Sequence, residues 1–395
     1  MTGTKLAQLV GVALVVTLSG CVQPGVGEAT SDVEESASSE LTLSAPVIED
    51  LADDDIGLIA RIHYATHTPD FDRARVFYRE LGYTEGVTGF PLTNTHQMAR
   101  ALGMFDVCQY ELAKGEVMAL PGAENPASID LLQFKIPFDG AAPYELPNHL
   151  GAAYAVFASA DFENDVARIS KIGGELLSEP YGENGSRFVF FRDPDGVLYQ
   201  LKEAVTSDAG GETSTDGRMG IFDMPYVAIN VSDLDASLAF YRLLGYQPVG
   251  EVLEYAGDGE EARAFGLAEE GMQYRTTLIE IARGDGHQLR LTQWLAPFDN
   301  EPPYPPPINR IGINRIAVLV TDLDRAVAIL KAQGVKFLSE LAPCCSGTGD
   351  DETAIVHAYD PDGVFIELVG SIAKRPPLPH PEHCPPMEIK LPAPT

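Results

Sequence analysis

Five thiol and imidazole groups gather in two short stretches near the end of the chain. Cys344 and Cys345 sit in a Gly/Ser/Asp loop, and His380, His383 and Cys384 in a Pro-rich tail. Thiolate and imidazole are the ligands zinc takes, and nearby thiols also form disulfides. A bridge from Cys344 or Cys345 to Cys384 would staple the tail. A metal held by all five is the second chemistry, but their spacing follows no familiar zinc pattern, so the staple is the stronger expectation.

The chain starts with a different signal. Lys5 is the only charge in the first twenty residues, an apolar run follows from Leu6 to Leu18, and Ser19-Gly20 precede Cys21. A basic start, a short apolar stretch and a small-residue site form a secretory signal, and the run is too short for a convincing membrane span. Leu18-Ser19-Gly20-Cys21 looks like a bacterial lipobox, which makes Cys21 the lipidation site. Residues 1–20 are then the lipoprotein signal peptide, and 21–57, rich in Ser, Glu, Asp, Gly and Ala, a disordered acidic tether. The expected location is the cell envelope, anchored through Cys21; Val22 after the cysteine suits outer-membrane sorting in a Gram-negative cell. Loss of Lys5 takes the formal net charge from −31 to −32. Such a chain repels phosphate backbones, so no nucleic-acid partner is expected.

The body of the chain is an internal repeat. Asp193-Pro194-Asp195-Gly196-Val197 returns as Asp360-Pro361-Asp362-Gly363-Val364. Phe77-Tyr78-Arg79 with Leu81-Gly82-Tyr83 returns as Phe240-Tyr241-Arg242 with Leu244-Gly245-Tyr246. Gln133, Pro137-Phe138-Asp139 and Pro143-Tyr144 return as Gln293, Pro297-Phe298-Asp299 and Pro303-Tyr304. Two modules follow, 58–203 and 219–370, with a linker at 204–218 and a Pro-rich tail at 371–395. Each module divides again. Strands open at 58–66, 152–159, 226–231 and 314–320. Amphipathic helices follow over 71–81, 161–172, 234–243 and 323–333, entered by Asp70, Asp161, Asp233 or Asp322. Three further strands complete each round, the last pair in the second and fourth rounds joined by the Asp-Pro-Asp-Gly turn. Met98–Gly103 and Glu261–Gly266 read as short helices over the mouths of the sheets, with Arg100 and Arg263 as lid candidates. The Gln133 and Gln293 segments read as proline-stiffened crossovers.

Strand-helix-strand-strand-strand, four times, with Val231-Ser232-Asp233-Leu234, Asp322-Leu323-Asp324 and Asp360-Pro361-Asp362-Gly363-Val364, resembles the vicinal oxygen chelate superfamily: glyoxalases, extradiol dioxygenases and bleomycin-resistance proteins. The resemblance implies an α+β fold, four βαβββ units forming two tandem glyoxalase-like domains with cupped mixed sheets. It also implies a divalent ion in each cup, held by two histidines on opening strands and a glutamate on a last strand, acting on vicinal substrate oxygens.

The resemblance places those ligands seven residues before each helix-capping aspartate and on the last strands. The first module then carries His63, Tyr154 and Gln200, with Asp130 at the end of its first unit; the second carries Tyr226, Arg315 and Glu367, with Arg290. Neither set is a metal triad, because Arg315 only donates and is always charged. Within the first cup, His63 and Tyr154 are the expected acid/base pair, and Asp130 and Gln200 line it. Tyr226, Arg290, Arg315 and Glu367 are expected to line the second and bind an anion. No cofactor is expected; the alternative is Fe, Mn, Ni or Zn in the first domain on His63, Asp130 and Gln200. The expected protein is a lipid-anchored binder of a small anionic or aromatic molecule. It is monomeric because its two domains already pair within one chain. A glyoxalase- or dioxygenase-type enzyme with an altered site, and a structural envelope protein with vestigial cups, are the alternatives.

Overall fold

The computed structural model describes residues 51–87, 95–121, 128–204, 219–268, 270–282, 288–301, 307–344, 351–376 and 378–385. The signal peptide, Cys21, most of the tether, nearly all of the linker, Tyr304, Cys345 and the last residues of the tail lie outside them. Four units follow one another. Unit one holds β1 (Leu58–His67), α1 (Phe71–Glu80), β2 (Glu85–Val87), α2 (His96–Ala101), β3 (Glu111–Ala119) and β4 (Ser128–Ile136). Unit two holds β5 (Gly151–Ser159), α3 (Phe162–Ile169), β6 (Glu175–Leu176), β7 (Phe188–Arg192) and β8 (Leu198–Glu203). Unit three holds β9 (Ile221–Asn230), α4 (Leu234–Leu243), β10 (Tyr246–Asp258), α5 (Gly259–Ala264), β11 (Gly271–Ile281) and β12 (Gln288–Ala296). Unit four holds β13 (Gly312–Val320), α6 (Leu323–Ala332), β14 (Ala342–Pro343), β15 (Asp351–Tyr359) and β16 (Phe365–Ala373). The strand expected near 335–341 is reduced to the two residues of β14 and an isolated bridge from Phe337 to Ala358.

Local chemistry explains the helices. The side chains of Asp70, Asp233 and Asp322 accept backbone N–H bonds from the first turns of α1, α4 and α6, satisfying donors that a helix start leaves open. Gly82, Gly173, Gly245 and Gly334 follow the four long helical segments at φ between 90° and 113°, a left-handed backbone that residues with a side chain rarely adopt. Gln133 and Gln293 belong to the same scaffold rather than to a site. Gln133 accepts from the Phe71 backbone N–H and donates to the Pro69 carbonyl, and Gln293 donates to the Ser232 carbonyl at 2.8 Å.

The repeated motifs touch one another. The Tyr78 hydroxyl on α1 donates to Asp193 at 2.8 Å, and the Tyr241 hydroxyl on α4 donates to Asp360 at 3.1 Å. Each aspartate also accepts two backbone N–H bonds inside its turn, from Asp195 and Val197 or from Asp362 and Val364. Burial pushes both carboxyls up to about 7. The helix of one unit is thereby tied to the last hairpin of the next, the same way in both modules.

Strand pairing follows a different rule. One eight-stranded mixed sheet runs β14-β15-β16-β13-β1-β4-β3-β2, and the other runs β10-β11-β12-β9-β5-β8-β7-β6. Unit one therefore shares a sheet with unit four, and unit two with unit three. This corrects the expectation that each module closes its own cup. The open edge of β1 pairs antiparallel with β13 rather than with β5. The units of one module meet instead through Tyr78 and Asp193 or Tyr241 and Asp360. A large apolar core joins the faces of both sheets to α1, α3, α4 and α6. Two smaller apolar clusters line the opposite, concave faces.

Candidate functional site

The concave face of the first sheet, cup A, is built on five adjacent strands. His63 stands on β1, Asp130 on β4, Arg315 on β13, Glu367 on β16 and His357 on β15. The concave face of the second, cup B, repeats this register residue for residue. Ala65 pairs with both Arg315 and Asp130, and Ala228 with both Tyr154 and Arg290. Ala317 pairs with His63 and Glu367, and Val156 with Tyr226 and Gln200. His63 thus corresponds to Tyr226, Arg315 to Tyr154, Asp130 to Arg290, Glu367 to Gln200, and His357 to Phe190.

Cup A is closed by its own charges. The Arg315 guanidinium bonds Asp130 through one terminal nitrogen and lies 2.9 Å from Glu367 through Nε. His357 meets the same Glu367 oxygen at 3.1 Å, and His63 stands 3.9 Å from Asp130. All five residues are buried or nearly so. Burial works to raise the Glu367 carboxyl, but Arg315 and His357 outweigh it and hold it below the usual carboxylate range. Burial raises Asp130 despite Arg315, and lowers both His63 and His357, so the imidazoles are neutral. Met98, Leu102, Tyr110, Leu132, Phe134 and Phe365 pack around this network.

Cup B is left open. It holds a cavity of about 150 Å³ bounded by Tyr154, Gln200, Tyr226, Tyr274, Arg290 and Trp294, with Lys202 and Glu261 at its wall. The Arg290 guanidinium lies 4.6 Å from the centre of the Tyr226 ring, and no carboxylate among the described residues pairs with it. Burial, then Arg290, lowers the Lys202 ammonium. Burial raises Tyr154 and Tyr226 and pushes Tyr274 up to about 12, so all three hydroxyls keep their protons. Glu261 is engaged by the Tyr255 hydroxyl. Phe265, just after α5, packs on Phe190 and Trp294 and roofs the cavity.

Several expected groupings are redrawn. His63 and Tyr154 do not meet, because they stand on different sheets, and an acid/base pair from them does not form. The alternative metal set of His63, Asp130 and Gln200 is split in the same way, with Gln200 in cup B. Arg290 and Tyr226 do not share a cup with Arg315 and Glu367. His357, Tyr274, Trp294 and Lys202 were not legible as site residues, because the signal that places them is the pairing of β7, β11, β12 and β15 with neighbours. Arg100 is tied to Glu340 at 3.5 Å, and Arg263 points to solvent, so neither enters a cup. His67, near the end of β1, is held by Asn314.

A divalent ion of the two-histidine-one-carboxylate type needs three converging donors with open positions. In cup A the guanidinium of Arg315 occupies the space between the carboxylates that would supply them. Among the described residues no three ligand atoms of His, Cys, Asp or Glu in either cup come within 4.8 Å of one another. Cup B presents two phenols, an amide and a guanidinium at the matched places. Neither donor set fits the ion.

Paired βαβββ units in curled mixed sheets define a class of tandem glyoxalase-like domains. The chain belongs to the Glyoxalase/Bleomycin resistance protein/Dioxygenase superfamily, which matches residues 61–201 and 223–368. Glyoxalase I from Zea mays is similar at 17% identity over 79% of this chain and 92% of that chain, with a TM-score of 0.48. A glyoxalase family protein from Bacillus cereus is 22% identical over 38% of this chain and 95% of its own, with a TM-score of 0.31. A triple variant of 4-hydroxymandelate synthase from Streptomyces coelicolor is 14% identical over 81% and 94%, with a TM-score of 0.26. No curated protein matches the sequence.

Proposed function

We propose that this protein binds a small aromatic anion in cup B without a metal, and that cup A is an ion-paired structural counterpart. One observation carries the reading: among the described residues Arg290 has no carboxylate partner inside an aromatic-lined cavity, at the register where cup A holds Asp130. A half-buried guanidinium without an acid favours a ligand that supplies one. The neutral tyrosine hydroxyls add donors, and Trp294 and Tyr226 add ring faces. A cavity of about 150 Å³ accommodates one aromatic ring with a short acidic group. The ligand class is single-ring carboxylates.

The test is calorimetric titration with benzoate, phenylacetate, benzamide and acetate. Benzoate or phenylacetate should bind saturably, and benzamide and acetate much more weakly. Arg290→Met should weaken the acid by about 10–100-fold, the usual worth of a hydrogen bond to a charged group. Equal binding of benzamide, or unchanged binding in Arg290→Met, would sink the proposal.

The anchor belongs to the same reading. Cys21 carries lipid, the tether sets the domains off an envelope membrane, and the protein acts as a monomer without nucleic acid. No helix among the described residues is long and apolar enough to cross a membrane. Cys21→Ser should move the protein from the membrane to the soluble fraction.

An enzyme of glyoxalase or dioxygenase type is the competing reading. It has one feature on its side: both ring nitrogens of His63 are buried and lack a hydrogen-bond partner. About one equivalent of Fe, Mn, Ni or Zn in the purified protein, lost in His63→Ala, would favour it.

A further inference from the structure

The tail cysteine is bridged, but not to the expected partner. Cys384 pairs with Cys108, their Cα atoms 5.6 Å apart. Cys108 lies in the segment that follows α2, so the bridge ties the tail to the wall of cup A. Two imidazoles converge on the same point. The ligand atoms of His96, His383 and Cys384 lie within 4.8 Å of one another, and the two rings stand 6.2 Å apart, edge to face. His380 does not join them, because its Nε2 is bonded to the Pro385 carbonyl at 2.8 Å.

We propose that this corner is a redox-gated zinc site, with Cys108, Cys384, His96 and His383 as its ligands once the disulfide is reduced. Two thiolates and two imidazoles are a closed tetrahedral set for Zn²⁺, with bonds of about 2.0–2.3 Å and neighbouring ligand atoms about 3.3–3.8 Å apart. The ligand atoms of His96, His383 and Cys384 stand within 4.8 Å of one another and the Cys108 sulfur is bonded to that of Cys384, so once the bond is reduced, side-chain rotation that parts the sulfurs and draws in the imidazoles closes the site. While the disulfide is intact, both sulfurs are spent on each other and two imidazoles alone remain. The chemistry balances with a dithiol reductant. It gives two electrons and two protons to the S–S bond and leaves as its own disulfide; the two thiols then release two protons to bind one Zn²⁺. In either state the tail stays attached beside α2, first by a covalent bond and then by an ion. This site is independent of the ligand proposed for cup B.

Co²⁺ is the probe, titrated into the full chain with and without a phosphine reductant. The reduced protein should take one equivalent and show tetrahedral d–d absorption with a thiolate-to-cobalt charge-transfer band, displaced by Zn²⁺. The oxidised protein should show neither. His96→Ala and His383→Ala should each weaken binding by at least about tenfold. His63→Ala should leave the spectrum unchanged, separating this corner from cup A. Cys108→Ser frees Cys384 without reductant and should bind with a weaker, one-thiolate band. The proposal is overturned if the reduced chain gives no charge-transfer band, if the band survives in the His96→Ala/His383→Ala double variant, or if reduction abolishes the circular dichroism of the fold. A Cys108→Ser chain that is folded but blind to Co²⁺ overturns it as well.

Discussion

Cup A and cup B follow one strand register and carry different side chains at five matched positions. At matched registers, His63, Asp130, Arg315, Glu367 and His357 face Tyr226, Arg290, Tyr154, Gln200 and Phe190. Cup A places its guanidinium between two carboxylates and consumes its charge inside the protein. Cup B puts the guanidinium where cup A has an acid, and places an amide where cup A has the second acid. The same fold thus yields a closed ionic core on one side and a cationic aromatic cavity on the other. Arginine in a buried sheet therefore does not specify function; its neighbours one strand away do.

The largest test of this contrast is Arg315→Met against Arg290→Met. Removing Arg315 strands Glu367 and Asp130 in an apolar surround, and breaking a buried pair in this way costs about 3–5 kcal/mol. Removing Arg290 strands no acid, so its stability change should lie within about 1 kcal/mol of zero. Urea unfolding at pH 7 reads both. Equal losses would erase the distinction between the cups.

Next in size is a transplant. Gln200→Glu gives cup B the acid of cup A, and the new carboxylate competes with the ligand for Arg290. Binding of benzoate should fall by about tenfold, or 1.4 kcal/mol. Unchanged affinity would mean that Arg290 is not the ligand's counter-charge.

The pH response separates the cups from the shared turns. Asp193 and Asp360, raised to about 7 by burial, sit above their unfolded value of about 3.9. Their stabilising contribution is full below pH 3.9 and is lost as pH rises through about 7. The stability of the wild type relative to Asp193→Asn, and relative to Asp360→Asn, should fall between pH 4 and 8, with similar slopes in both. Glu367 has the opposite sign. Its carboxyl is held low, so its contribution is present above the unfolded value of about 4.3 and fades as pH drops below it. Unfolding at a series of pH values should show that acid-side loss vanish in Glu367→Gln. A pH-independent difference for the Asn variants would remove the buried-turn account.

The smallest effect belongs to Lys202, half-buried at the wall of cup B. Lys202→Gln should weaken acid binding only by about two- to fivefold, and the loss should shrink in high salt. A loss as large as that of Arg290→Met would move the ligand's acid group outward.

Much of the fold was legible in the sequence. The capping aspartates, the glycine helix stops and the twin Asp-Pro-Asp-Gly-Val turns are local devices, readable because their partners lie within a few residues. Four candidate site positions were legible for the same reason: His63, Tyr154, Tyr226 and Arg315 each stand seven residues before the aspartate at a helix start, while Gln200 and Glu367 follow the Asp-Pro-Asp-Gly turns. Their grouping was legible only in part: Arg315 stands beside Glu367, Arg290 beside Tyr226 and His63 beside Asp130 as expected, but these pairs are distributed differently between the cups. His63 was expected beside Tyr154 and stands beside Asp130 and Arg315; Arg290 was expected beside Arg315 and stands under Tyr226. Cys384 was expected to reach Cys344 or Cys345 and reaches Cys108 instead.

The sequence by itself determined four βαβββ units, their order, and which residue types occupy each ligand position. Only the tertiary structure decided which units share a sheet. The reason is physical: β-strand edges pair through backbone groups that every residue carries, so four similar units offer β1 more than one acceptable neighbour. The choice of β13 over β5 brought Arg315 between Asp130 and Glu367 and left Arg290 with no carboxylate partner among the described residues. That choice rests on long-range packing of the two sheets around a common core, which no window of the sequence contains.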